Sequence, residues 1–264
     1  MIIGNQTFDT KNNTYIMGIL NVTPDSFSDG GKFNTLDAAL FQAEKMIHEG
    51  ADILDIGGES TRPGFAEVSE DEEISRVVPL IQKIRQINDK IPISVDTRKM
   101  AVMKAAYENG ADVLNDVSAL EFDSKMAGFI SSTELSVILM FWKAGGIKEA
   151  KKYLKQRVLF AKKSGIKKEK IILDPGIGFD KSFEENCQLI RNCGYLAFGG
   201  IPVLMALSNK RCIGAMINEN EDSAKRGYGT ACANLFAVES GAKIIRVHDV
   251  KSAIDSLNVM NFLK

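Results

Sequence analysis

Soft metal ligands are scarce in this chain. Its 264 residues hold four cysteines and two histidines, and Cys187, Cys193, Cys212 and Cys232 show no paired ligand spacing. That pattern argues against a structural zinc site and leaves reduced thiols in the cytoplasm as the expectation. No apolar run approaches the ~20 residues needed to cross a bilayer, and the opening MIIGNQTFDTKNN lacks a signal-peptide pattern. There is also no long basic run, and the formal net charge is -1. Neither nucleic acid nor an anionic membrane surface is therefore an expected partner.

What the chain does have is a strand-then-helix alternation that begins near Tyr15 and does not stop. A polar lead-in, with room for a short hairpin, comes first. Aliphatic runs follow at 15–22, 53–58, 93–96, 113–117, 136–140, 170–174, 201–206 and 243–247. Segments of helical spacing are expected at 38–48, 70–88, 99–109, 124–131, 148–164, from about Ser182, at 223–240, and from Lys251 onward. Gly50 and Gly110 stand where helices should end, and Ser69-Glu-Asp-Glu stands where one should begin. Strands written as continuous aliphatic runs are buried on both faces, as in parallel sheets, and eight units is the count at which such a sheet closes. The expected fold is α/β: a (β/α)8 barrel (TIM barrel), one domain over residues 1–264. An open doubly wound sheet is the alternative, but no linker divides the chain.

In such a barrel the residues just past each strand converge on one mouth. Here these are Asn21, Glu59 through Arg62, Asp96, Asn115, Met140, Asp174, Ser208 with Lys210, and Arg246 with His248. All the strands but the fifth end in a group that ionises or hydrogen-bonds. A lone Asp or Asn there often just caps the next helix. Three together, Asp96, Asn115 and Asp174, suit a flat nitrogen-rich heterocycle whose N–H groups need acceptors, and Lys210 complements them as a donor. Arg246 and His248 alternate along the strand, so both point the same way. They suit a phosphate, with Asn21 beside a magnesium ion (Mg2+) that would be held mainly by phosphate oxygens. The competing reading pairs Arg246 with Asp249 or another carboxylate. Two loops, at 23–32 and 59–67, are long and polar enough to order over a ligand.

The segments MGILNVTPDSFSDGG (17–31), GADILDIGGESTRPG (50–64), ISVDT (93–97), GADVLNDV (110–117), ILDPGIGF (172–179) and GAKIIRVHDVK (241–251) resemble the motifs of the bacterial dihydropteroate synthases. They occur in the family's order along nearly the whole chain. The resemblance implies a magnesium-dependent transferase of folate biosynthesis. It would join 6-hydroxymethyl-7,8-dihydropterin pyrophosphate to p-aminobenzoate, giving 7,8-dihydropteroate and pyrophosphate. It further implies that Asp96, Asn115, Met140, Asp174, Phe179 and Lys210 hold the pterin. Asn21, Arg246 and His248 would hold pyrophosphate and metal, and Thr61, Arg62, Pro63 and Ser208 would frame the aminobenzoate. Asp96, Asp174, Lys210 and Arg246 would carry the chemistry. The family is usually homodimeric, and apolar positions in the last two helices (Ala231, Leu235, Phe236, Val238, Ile254, Leu257, Val259) would serve a dimer or the barrel's outer layer equally.

The chain departs from the family pattern in four places. Phe141-Trp142 replaces the usual ending of the fifth strand, and Ala206 and Asn209 stand where Gly and Arg are usual. Asp180 replaces a glycine, and the connection after the fifth strand is short. These departures keep open an altered-specificity or non-catalytic pterin-binding paralogue. A methyltetrahydrofolate-dependent corrinoid methyltransferase is a weaker alternative, since such an enzyme needs neither polar loop.

Overall fold

The structure is a computed structural model that describes residues 1–22, 32–59 and 67–263. Strands β1 (Ile2–Ile3) and β2 (Gln6–Thr7) make a small antiparallel hairpin. Eight parallel strands follow: β3 (Tyr15–Asn21), β4 (Ile53–Gly57), β5 (Ile93–Asp96), β6 (Val113–Asp116), β7 (Ser136–Met140), β8 (Ile171–Asp174), β9 (Leu204–Met205) and β10 (Ile244–Val247). Their order is β8-β7-β6-β5-β4-β3-β10-β9. A parallel bridge between Leu173 and Val203 then brings β8 round to the start of β9. The sheet is thus a barrel of the expected topology.

Nine helices connect the described strands: α1 (Lys32–Glu49), α2 (Glu70–Ile87), α3 (Met100–Glu108), α4 (Met126–Ser131), α5 (Ile147–Lys163), α6 (Phe183–Arg191), α7 (Arg211–Met216), α8 (Gly227–Glu239) and α9 (Val250–Phe262). Their ends follow local chemistry. Ser69 Oγ accepts from Glu72 N at 3.2 Å and caps α2, and Ser182 with Glu185 forms a capping box on α6. Gly50 and Gly110 follow α1 and α3 at φ of 100° and 105°, values that an L side chain avoids.

Three details differ from the periodicity. The run at 201–206 yields only the two residues of β9, because Pro202 has no N–H for a ladder and serves through its carbonyl, which accepts from Leu173 N at 3.0 Å. Helix α7, six residues long, falls where no helix was expected. The helix expected from Ser223 opens with a 3-10 turn, Ser223–Arg226, before α8.

Because side chains alternate across a strand, the barrel has two apolar layers. Outward residues such as Ile16, Leu54, Val95, Leu114, Leu139, Leu173 and Ile245 join the helices in the larger core. Inward residues Met17, Ile53, Val113, Ile138, Ile172, Leu204 and Ile244 form a second, smaller core. Ile3 and Phe8, from the hairpin region, close that inner core from below and are 0% and 2% exposed. A cleft of about 600 Å3 opens on this lower face between Phe8, Lys11, Lys168 and Pro202. None of the polar strand ends reaches it, so the chemistry lies at the other end.

Candidate active site

Climbing two residues along four of the inward rows changes the character of the barrel. Above Ile53 stands Asp55, above Val113 stands Asn115, above Ile172 stands Asp174, and above Ile244 stands Arg246. Register puts Asn21, Gly57, Asp96 and Asn115 side by side on neighbouring strands, and Met140 beside Asp174. The apolar floor therefore carries a polar storey, buried enough that every charge in it needs a partner.

Arg246 is the hub of that storey. Its Nε donates to Asp55 Oδ2 at 2.6 Å and its Nη2 to Asp96 Oδ2 at 3.2 Å. Asp55 is 0% exposed and also accepts from Asn115 Nδ2 at 3.2 Å. Arg246 is thus a paired guanidinium, with Asp55 and Asp96 as its partners instead of Asp249. Asp249 caps α9 through Ser252 N. Asp96 Oδ1 is buried without a hydrogen-bond partner among the described residues. Burial first, then the charges of Asp55, Glu73 and Asp116, push its carboxyl up to about 7 against the pull of Arg246.

The other wall is cationic. Burial and the neighbouring Arg246 bring the Lys210 ammonium down to about 8, with Asp174 holding it up. Its Nζ lies 4.7 Å from the centre of the Phe179 ring. Burial likewise raises Asp174, opposed by the bond its Oδ1 accepts from Gly176 N at 2.6 Å. Met140 is buried beside this wall. Ser208 Oγ lies 2.8 Å from His248 Nδ1. The residue expected on the aminobenzoate side thus touches one expected on the pyrophosphate side. Asn21 sits over Gly57, its Oδ1 3.5 Å from where a Cβ would be.

Glu59, just past the end of β4, is held in a clamp. Lys99 Nζ donates to Glu59 Oε2 at 2.6 Å, Val68 O at 2.7 Å and Glu73 Oε2 at 2.8 Å. Arg98 Nη2 adds bonds to Glu59 at 3.4 Å and Glu67 at 3.2 Å. Thr61, Arg62 and Pro63, and residues 23–31, lie outside the described residues. The departures have local explanations. Asn209 and Asp180 both have left-handed backbones, φ 57° and 42°, which Asn and Asp tolerate better than most residues. The Ala206 methyl belongs to the inner apolar layer, and Phe141 is 2% exposed, packed against Tyr153.

Asp55, Lys99 and Lys181 are the polar residues that sequence reasoning left out. A charge at an inward position of a strand was the available signal for Asp55. For the two lysines no local pattern names their partners.

Residues 17–248, which carry the buried carboxylates, the amide and the lysine of this site, match the family described as pterin binding enzyme. The chain belongs to that family. Its relatives there are dihydropteroate synthases. The enzyme of Synechocystis sp. is 40% identical over 273 residues, spanning 99% of this chain and 94% of its own. The dihydropteroate synthase of Clostridium difficile, solved in the presence of pteroic acid, superposes with a TM-score of 0.91 at 42% identity, covering 97% of this chain and 99% of its own. That of Xanthomonas albilineans, solved with 4-aminobenzoic acid, gives 0.90 at 40% identity over 96% and 93%.

Proposed function

We propose that this chain is a dihydropteroate synthase, one barrel domain throughout, condensing 6-hydroxymethyl-7,8-dihydropterin pyrophosphate with p-aminobenzoate to give 7,8-dihydropteroate and pyrophosphate. The observation that carries the reading is Asp96 Oδ1, a buried acceptor without a partner among the described residues. A buried, unpaired carboxylate oxygen costs stability unless a ligand supplies the donor, and the amino and ring N–H groups of a pterin are such donors.

In this reading Asp96, Asn115 and Asp174 accept from the pterin edge, and Lys210 donates to it. Met140 and Phe179 line the faces of the ring. Arg246 and His248 take the pyrophosphate, and Ser208 with Thr61, Arg62 and Pro63 frames the aminobenzoate. The C–O bond at the pterin methylene breaks first, its electron pair leaving on pyrophosphate. The carboxylates of Asp96 and Asp174 stabilise the positive charge left on the pterin, and the Arg246 guanidinium stabilises the leaving group. The lone pair of the aniline nitrogen then forms the C–N bond, and the resulting ammonium releases its proton. Because an aniline nitrogen attacks without prior deprotonation, the protein need supply no strong base. Water must be kept out, since it would compete for the cation.

The reading includes Mg2+. Asn21 supplies one neutral oxygen at the mouth, and no group of three His, Cys, Asp or Glu able to hold a metal forms among the described residues. That donor set fits an ion held largely by phosphate oxygens and water. Asn21 would hold it, and when bound it would neutralise charge on the departing pyrophosphate. A homodimer and a cytoplasmic location complete the reading. Phe236 and Val259 are 52% and 60% exposed on α8 and α9, and all four cysteines are free.

The test follows dihydropteroate and pyrophosphate together, with both substrates and magnesium, in the wild type, Lys210→Ala and Arg246→Lys. Product in the wild type that is lost in both variants and on chelation supports the reading. Pterin binding without pyrophosphate release would instead mean a non-catalytic relative. Pyrophosphate without dihydropteroate would mean a changed amine site.

A further inference from the structure

The loop leaving β8 is fastened to the end of β7 by one ammonium group. Asp180, with its left-handed backbone, turns the chain so that Lys181 folds back against the barrel. Lys181 Nζ donates to the carbonyl of Phe141 at 2.8 Å and to that of Phe179 at 3.0 Å, and it lies 4.5 Å from the centre of the Phe141 ring. The Phe141 carbonyl is also where Gly176, at φ 68°, crosses so closely that a Cβ there would collide with it. A single nitrogen thus joins the residue after Met140 to the residue whose ring lies under Lys210. Two further bonds brace the same loop, from Gly178 N to Asn186 Oδ1 at 2.7 Å and from Asn186 Nδ2 to Ser182 O at 2.8 Å. Lysine normally keeps its ammonium in water. Here burial brings it down to about 8, with the charge of Asp174 opposing that shift.

We propose that Lys181 is a positioning residue of the pterin pocket, fixing the Phe141 and Phe179 carbonyls so that Met140 and Phe179 stand at the spacing a flat ring requires. The proposal rests on the dihydropteroate synthase reading. Lys181 would touch no reacting atom and would act through the two residues it ties together.

Lys181→Met keeps the length of the side chain and removes its donors. The KM for the pterin pyrophosphate should rise about tenfold, the weight of one charged hydrogen bond. The kcat at saturation should stay within about twofold and the KM for p-aminobenzoate should not move, because the pocket is loosened and the chemistry is not. Lys181→Arg, which still donates, should recover most of the loss. Trp142 is the only tryptophan, follows Phe141 directly and is 43% exposed. Its emission in the substrate-free protein should shift in Lys181→Met and return in Lys181→Arg. An unmoved pterin KM, an equal rise in both KM values, or an unchanged emission in Lys181→Met would overturn the proposal. If Lys181→Met does not fold, Lys181→Ala, which likewise has no donor, takes its place with the same split expected and the same results overturning it. A wild type that makes no dihydropteroate would defeat the function reading instead, a result distinct from all of these.

Discussion

Removing the ammonium of Lys99 should be among the most damaging single changes in the described part of this barrel. Lys99 is 4% exposed and sits between Glu73, 1% exposed, and Glu59, whose side chain is 11% exposed. Lys99→Met leaves both carboxylates without their central cation, and Glu73 Oε1 already has no hydrogen-bond partner among the described residues. Breaking a buried ion pair from one side costs about 3–5 kcal/mol, most of it the uncompensated charge left behind. Against a total stability of roughly 5–15 kcal/mol, thermal unfolding should begin roughly 6–20 °C lower in a chain of this size. Circular dichroism melts at neutral pH would read it. The pH dependence has a definite sign. Glu59 is held below its ordinary 4.5, so its share of the stability is present above that pH and fades as pH falls through the lowered value. Lys99 is held above its ordinary 10.5, so its share is present below that pH and fades as pH rises through the raised one. The gap between wild type and variant should therefore be widest in between. Adding Glu73→Leu to Lys99→Met should restore much of the loss, because an apolar replacement removes the stranded charge. A Lys99→Met melt within 2 °C of wild type, or a double mutant worse than the single, would refute the reasoning.

Other perturbations probe the mouth. As pH falls below about 7, Asp96 takes a proton and stops accepting from the pterin, so kcat/KM for the pterin pyrophosphate should decline; Asp96→Asn should lower kcat/KM about 10–100-fold and flatten that limb. Arg246→Ala strands Asp55 and should cost about 3–5 kcal/mol in urea unfolding; adding Asp55→Leu should recover most of it, and no recovery would mean the pair is not the source. Asn209→Gly should unfold within about 1 kcal/mol of wild type, while Asn209→Val should lose about 1–2 kcal/mol, since φ is 57° there; equal stabilities would show that the turn relaxes.

Which parts of this molecule could be read from the chain depends on the range of the interaction concerned. The barrel was legible because burial on both faces writes strands as unbroken aliphatic runs, and alternation alone places Asp174 and Arg246 inward. β9 was overestimated because Ile201-Pro202-Val203 is as apolar as a strand, while the missing N–H of Pro202 decides the pairing. Arg246 points inward with Asp174, but its partner Asp55 lies 191 residues away. The choice between a free and a paired guanidinium is a matter of which strands become neighbours. The clamp on Glu59 was hidden for the same reason: its partner Lys99 is 40 residues on, at the exit of the next strand. Lys181 was the least legible, because it binds carbonyls, and every residue offers one.

The hairpin beneath the barrel also sets a timetable for synthesis. Ile3 and Phe8 pack with Ile244 in the inner core, and Tyr15 N bonds to Lys243 O at 3.0 Å. At roughly 5–20 residues per second on a ribosome, the hairpin waits tens of seconds for the strand that completes its shelter. Until then its apolar face must be shielded by chaperones or by the strands already made. A growing chain stalled before β10 should therefore be sticky through its oldest residues rather than its newest.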